Sequence, residues 1–250
     1  MHLHALESLM KNFLSFTILL TICSLQAKAE QTCAVIKDQL GAHYSFHKSQ
    51  NGNPLATSIK SSVWRSKHKV LTVNGEQSVT WFKLSNGLVQ KTAHFDHFNR
   101  SIEYHAKPMS DYRWQQIRQF IPNSQKQTFT LIKSMKEGCW QNEVYQWRND
   151  VTNEVGELVW NDSLALVDSL NIIQGKQQVH WQLEKIEHKE NIITQAFRQR
   201  ANYQTTDFAD IGDNEADPFL IKMINLGFIE HGSSGMYNPQ GENIDIDHNH

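Results

Sequence analysis

The chain has 250 residues, 39 % hydrophobic and 20 % charged, with 24 Lys and Arg against 26 Asp and Glu. Near-neutrality hides an uneven spread: 21 basic and 16 acidic residues from Glu30 to Thr206, then nine acids and Lys222 alone from Asp207 onward. With no basic block, nucleic acid is excluded as the natural partner, and beyond the N-terminal leader no apolar stretch approaches the ~20 residues that cross a bilayer.

Met10-Lys11 opens a short basic region, Phe13 to Leu25 is an apolar run, and Ala27-Lys28-Ala29 supplies the small residues of a cleavage site. Residues 1–29 therefore read as a secretory signal peptide cut before Glu30, and the expected compartment is the periplasm. Cys23 is poorly placed for lipid attachment, since Thr21-Ile22 precede it. Residues 30–230 read as a single β-rich domain and 231–250 as a flexible acidic tail containing histidine. Cleavage leaves two cysteines, Cys33 and Cys139, which in an exported chain read as a disulfide, the alternative being two buried thiols.

Thr32 caps an expected short helix from Cys33 to Leu40, stopped by Gly41. Strands follow at Tyr44 to Lys48, Ser58 to Arg65 and Lys69 to Val73, with a turn at Asn51-Gly52-Asn53-Pro54. SVTWFKL and LVQKTAHF flank Ser85-Asn86-Gly87, the strongest hairpin signal in the chain, because Asn and Gly tolerate positive φ. After a turn at Asp96 to Asn99, SIEYH starts a third strand. Ser110 or Asp111 caps a helix to Ile121 with Trp114, Ile117, Phe120 and Ile121 on one side, and Pro122 ends it. Thr128 to Met135 reads as a second short helix. Trp140 to Arg148, Val155 to Trp160, Leu164 to Leu170 and Gln178 to Ile186 read as strands, Ile192 to Arg200 fits neither type cleanly, and Tyr203 to Phe208 reads as a closing strand. Asp217-Pro218 starts a last helix that Gly227 stops. Trp64-Arg65 and Trp147-Arg148 head two similar halves, but no further repeat joins them. The fold class is α+β, mainly β: a strongly curved, half-barrel-like antiparallel sheet with two or three covering helices.

His94, Asp96, His97 and His105 form the densest candidate metal set, since imidazole and carboxylate on neighbouring strands suit zinc, manganese or iron. The same residues also fit a solvated turn in which Asp96 caps and Arg100 balances its charge. The acidic run from Asp207 to Asp217 could wrap calcium, but its glycine and glutamate do not match an EF-hand loop; an acidic turn docked on the basic body is the plainer account. Asp245, Asp247, His248 and His250 would bind divalent metal weakly.

The runs WRSKHKV, EQSVTWFKLSNG, FDHFNRSIEY and TTDFADIGDNEADPF resemble a family of uncharacterised exported proteins of proteobacteria over most of the mature chain. That resemblance implies the compartment and no chemistry. The succession of leader, curved sheet and covering helices is also similar to the half-barrel of LolA-like periplasmic lipoprotein carriers, a likeness of architecture. The function expected is a non-catalytic periplasmic binding or accessory protein presenting an aromatic-lined groove to an apolar small molecule or an envelope protein. The alternative is a metal-binding protein or metal-dependent enzyme using a divalent ion at the central hairpin or the acidic C-terminal segment.

Overall fold

The computed structural model describes residues 36–55, 58–214 and 216–227. The strands are β1 (Gln39–Gln50), β2 (Asn53–Pro54), β3 (Ile59–Ser66), β4 (Lys69–Asn74), β5 (Gln77–Lys83), β6 (Leu88–Phe95), β7 (Arg100–Glu103) and β8 (Lys107–Pro108), then β9 (Thr130–Glu137), β10 (Trp140–Asn149), β11 (Glu154–Asn161), β12 (Leu166–Gln174), β13 (Gln177–Glu187) and β14 (Gln204–Asp207). Helices α1 (Asp111–Gln119) and α2 (Asn123–Lys126) separate the two groups; α3 (Glu190–Ala201) and α4 (Pro218–Asn225) follow the second. All the strands join one curved, unclosed sheet in the order β14-β7-β6-β5-β4-β3-β1-β13-β12-β11-β10-β9, with β2 and β8 as short additions. The architecture is the mainly-β half-barrel expected of the sequence.

Two meanders meet along the β1–β13 ladder, whose register runs from Gly41↔Glu187 to Gln50↔Gln177. One face, called inner here, carries the main core: Leu40, Ala42 and Tyr44 of β1, Val63 of β3, Val70 of β4, Trp81 of β5, Leu158 and Trp160 of β11, and Leu170 of β12. The α1–α2 segment lies on that face, with Ile117 buried and Trp114, Phe120 and Ile121 packed on the core. The helical spacing of those four side chains is what the sequence showed. On the outer face, Ile193, Ala196 and Phe197 of α3 meet Trp64, Leu71 and Val73. At the β6–β7 end, Phe219, Leu220 and Met223 of α4 pack on Phe95 and Ile102.

Two glycines accept tryptophans directly opposite them. A Cβ on Gly41 would lie 2.4 Å from Trp64, and one on Gly156 would lie 1.9 Å from Trp147. Only a residue without a side chain lets these indoles lie flat on the neighbouring strand.

Several expectations are corrected. Thr130–Glu137 is a strand, not a helix. Ile192 to Arg200 belongs to a helix, α3. Leu40 lies in β1 and not at the end of a helix. The sheet is antiparallel except at one edge, where β14 runs parallel to β7. The leader 1–29, Cys33 with the rest of its expected helix up to Val35, and the tail 231–250 lie outside the described residues.

Candidate functional site

Register alone aligns an apolar band on the inner face. Phe46 pairs with Trp181, Trp181 with Leu170, Ile172 with Val179, Gly156 with Ile172, and Trp147 with Gly156. Side chains directly opposite one another point to the same face, so Phe46, Trp181, Val179, Ile172 and Trp147 form a row across β1, β13, β12 and β10, with Gly156 of β11 as its floor. All five are half-buried. Phe46 meets Trp181 edge to face at 5.7 Å, and Phe129 stacks on Trp147 at 4.2 Å.

The α1–α2 segment borders this band and covers the adjoining core. Ser110 caps α1 by accepting the Arg113 N–H at 3.2 Å. At the other end Phe120 has φ 64° and ψ −47°, and the Ile121 N–H donates to the Gln119 carbonyl at 2.8 Å. That is a tight three-residue turn of the strained hand, which a bulky side chain adopts only when its surroundings hold it there. Here the Phe120 ring is held between Tyr44, at 5.2 Å, and Trp181, at 4.9 Å, edge to face with each.

Arg65 fastens the segment. It is 1 % exposed, and all its donors go to main-chain carbonyls. Nε and Nη2 reach Arg118 at 2.8 and 2.6 Å, Nη1 reaches Leu164 at 2.8 Å and Lys37 at 3.2 Å, and Nη2 also reaches Ala165 at 2.7 Å. Arg118 lies in the last turn of α1, where carbonyls lack helical partners and a cation is favoured. Leu164 and Ala165 lie in the β11–β12 turn, which is separated from β3 by β1 and β13, about 14 Å in a flat sheet. One side chain bridges that gap because the sheet curls toward its inner face. Burial, with Arg118 nearby, pushes the Arg65 pKa down to about 10, so it remains charged at neutral pH. Lys126 of α2 adds ion pairs to Glu143 at 3.2 Å and Asp162 at 3.3 Å.

The candidate metal residues are not brought together. Both ring nitrogens of buried His94 are engaged on the outer face: Nε2 lies 2.8 Å from the Thr80 hydroxyl and Nδ1 2.7 Å from that of Ser101. Asp96 pairs with Arg200 of α3 at 2.5 Å and accepts from Ser78 at 3.2 Å. Its balancing arginine is therefore Arg200, not Arg100. Arg100 instead pairs with Asp217 at 2.7 Å and lies over Phe219. His97 is exposed against Phe98, and His105 is exposed. Among the described residues no group of three or more His, Cys, Asp or Glu is placed to hold a metal ion. Asp217 is spent as the α4 cap, accepting the Phe219 N–H at 2.8 Å. Cys139 sits in the β9–β10 turn, and the other half of the expected disulfide, Cys33, lies outside the described residues.

Sequence reasoning placed Phe120 on the packed side of a helix, Arg65 in a tryptophan–arginine pair and Tyr44 at the start of a strand, but gave none of them a role at the site. A signal existed for Arg65: an arginine two residues after Val63 shares its face, so a charge had to be answered inside the core. Nothing in the sequence marks the strained conformation of Phe120.

No family model matches the chain, and no curated protein does. Solved structures similar to it include PNGF-II, at 13 % identity and TM-score 0.36 over 70 % of this chain. Others are the Pseudomonas aeruginosa MucA/MucB complex (14 %, TM-score 0.32, 63 % of this chain and 56 % of that one) and a putative outer membrane lipoprotein-sorting protein domain from Vibrio parahaemolyticus (6 %, TM-score 0.29, 66 % and 92 %). The chain spans about a third of the length of PNGF-II, 33 %. At these identities and scores the likeness is one of chain course, and function has to be argued from the site itself.

Proposed function

We propose that this is a non-catalytic binding or accessory protein of the bacterial envelope, and that its inner face receives an apolar ligand or an apolar protein segment along the band from Phe46 to Trp147. The observation that carries the reading is the band's incompleteness. Five large apolar side chains share one face in continuous register, yet the α1–α2 segment leaves them half-buried. Burying that row further removes apolar surface from water at about 25 cal/mol per Å², and its edge-to-face and stacked aromatics suit an aliphatic or aromatic guest. The expected export leader and the pair Cys33–Cys139 fit an oxidising compartment. Fractionation of cells should recover the protein in the periplasm, and non-reducing peptide mapping should recover Cys33 linked to Cys139; two free thiols there would remove the disulfide from the proposal.

The binding reading is tested with 1-decylpyrene, followed by energy transfer from tryptophan. Wild-type protein should bind it saturably. Ile172→Asp, within the band, should weaken binding more than tenfold, whereas Ile173→Asp on the outer face should leave it unchanged. Equal effects of the two substitutions, or no saturable transfer with the wild type, would refute the proposal.

A further inference from the structure

The core next to this band contains a hydroxyl left unmatched by its described neighbours. Tyr44 is 2 % exposed, and its phenolic oxygen has no hydrogen-bond partner among the described residues. Buried donors are almost always paired, so an orphan under a binding surface calls for a cause. Burial and the nearby Asp168 carboxylate push the Tyr44 pKa well above its ordinary range, against the influence of Arg65, and the phenol is held as a neutral donor. The Tyr44 ring meets Phe120, the residue in the strained turn, edge to face. An unmet hydrogen bond and a phenylalanine at positive φ therefore belong to one ring pair, and moving Phe120 aside would relieve the second and uncover the Tyr44 ring.

We infer that Tyr44 is the polar recognition residue of the band: its hydroxyl donates to a neutral carbonyl, of ester or amide type, carried by an otherwise apolar ligand that enters by displacing Phe120. The inference rests on the band being a binding surface. The acceptor is neutral because the cation that acts on the phenol is already engaged. Arg65, the nearest cation, already spends its guanidinium on the carbonyls of Arg118, Lys37, Leu164 and Ala165, and the Asp168 carboxylate opposes a second negative charge. A saturated hydrocarbon would fill the band and leave the phenol unpaired, so the hydroxyl separates acyl derivatives from plain chains.

The experiment uses a matched pair of probes, 1-decylpyrene and methyl 10-(pyren-1-yl)decanoate, with wild-type protein and Tyr44→Phe. The ester should lose about tenfold in affinity on substitution, the worth of one buried neutral hydrogen bond, and decylpyrene should lose none. Tyr44→Phe should also melt at or above the wild-type temperature, because it removes an unpaired buried polar group. Affinities for both probes falling together, or neither changing, would overturn the role of the hydroxyl while leaving the band as a binding surface. So would a variant that melts several degrees lower, since the hydroxyl would then already have a partner in the free protein. Failure of both probes to bind wild-type protein would remove the underlying reading as well.

Discussion

His94 shows how one residue type serves two opposite purposes. In a hairpin rich in histidine and acid it invites a metal reading, but its two nitrogens are taken by Thr80 and Ser101, and Tyr203 covers the ring edge to face. Burial first, and Arg200 second, hold its pKa down at about 4, so the ring is neutral in the folded protein near pH 7. The unfolded chain binds the proton near 6.5. Between those values the unfolded state carries more protons than the native one, and stability must rise with pH. The contribution is complete above about pH 6.5 and is lost as pH falls toward 4, by roughly 3 kcal/mol at most. Thermal melts across that window should show a falling midpoint for the wild type and a flatter dependence for His94→Asn. His43, also held below its ordinary value by burial, adds a slope of the same sign that the variant keeps. Parallel pH profiles for the two proteins would mean that His94 titrates normally in the fold. Strand spacing invites a metal reading there because it reports which face a side chain takes and not what has already bonded to it.

Among the elements, the hairpin β5–β6 was legible because its turn chemistry and alternation agree; LVQKTAHF coincides with β6 from end to end. The strand β9 was not legible. Its alternation is broken by a bulge where Tyr145 pairs with Leu131 and Val144 with Lys133, so Ile132 is extra and the apolar residues fall at helix-like intervals. As an edge strand with Leu131 and Ile132 half exposed, it also lacks the buried side that makes a strand recognisable. For α3 the obstacle was the opposite: Ile192, Ile193 and Thr194 are β-branched and blur a helix whose buried side, Ile193, Ala196, Phe197 and Arg200, has the proper spacing. The α1–α2 segment depends on Arg65, and this gives a prediction at the same scale. Arg65→Met keeps volume but strands the carbonyls of Arg118, Leu164 and Ala165, at a cost of about 2–4 kcal/mol. Arg65→Lys should recover little, because an ammonium is a point donor and cannot span three carbonyl sites. Hydrogen exchange should accelerate across residues 111–126 in both variants before it does so in β1 or β13. Unchanged protection in that segment would show that packing of Ile117 and Phe120, and not Arg65, keeps it seated.

At the scale of the whole molecule, the sequence carries each meander but not the seam between them. No local pattern reveals that β1, flanked by β3 in the hairpin order, also takes β13 on its other side, with partners about 140 residues away. The two tryptophan–arginine pairs show why the halves are not duplicates: Trp64 lies on the outer face under α3 and Trp147 on the inner face over Gly156. The core crosses the seam without a break, since Val63, Val70 and Trp81 from one side share a cluster with Leu158, Trp160 and Leu170 from the other. Neither meander buries an inner face alone, so the two should unfold together. Leu158 is fully buried four strands from β3, and Leu158→Ala should remove about 3–4 kcal/mol through lost transfer energy and an unfilled cavity. If the seam couples the halves, hydrogen exchange in β3, β4 and β5 should accelerate by the same free energy as in β11 and β12, and far-ultraviolet circular dichroism and tryptophan fluorescence should report one lowered midpoint. Two separated transitions, or protection of β3 to β5 surviving at the wild-type level, would mean that the N-terminal meander stands on its own and that the β1–β13 ladder joins two units already folded.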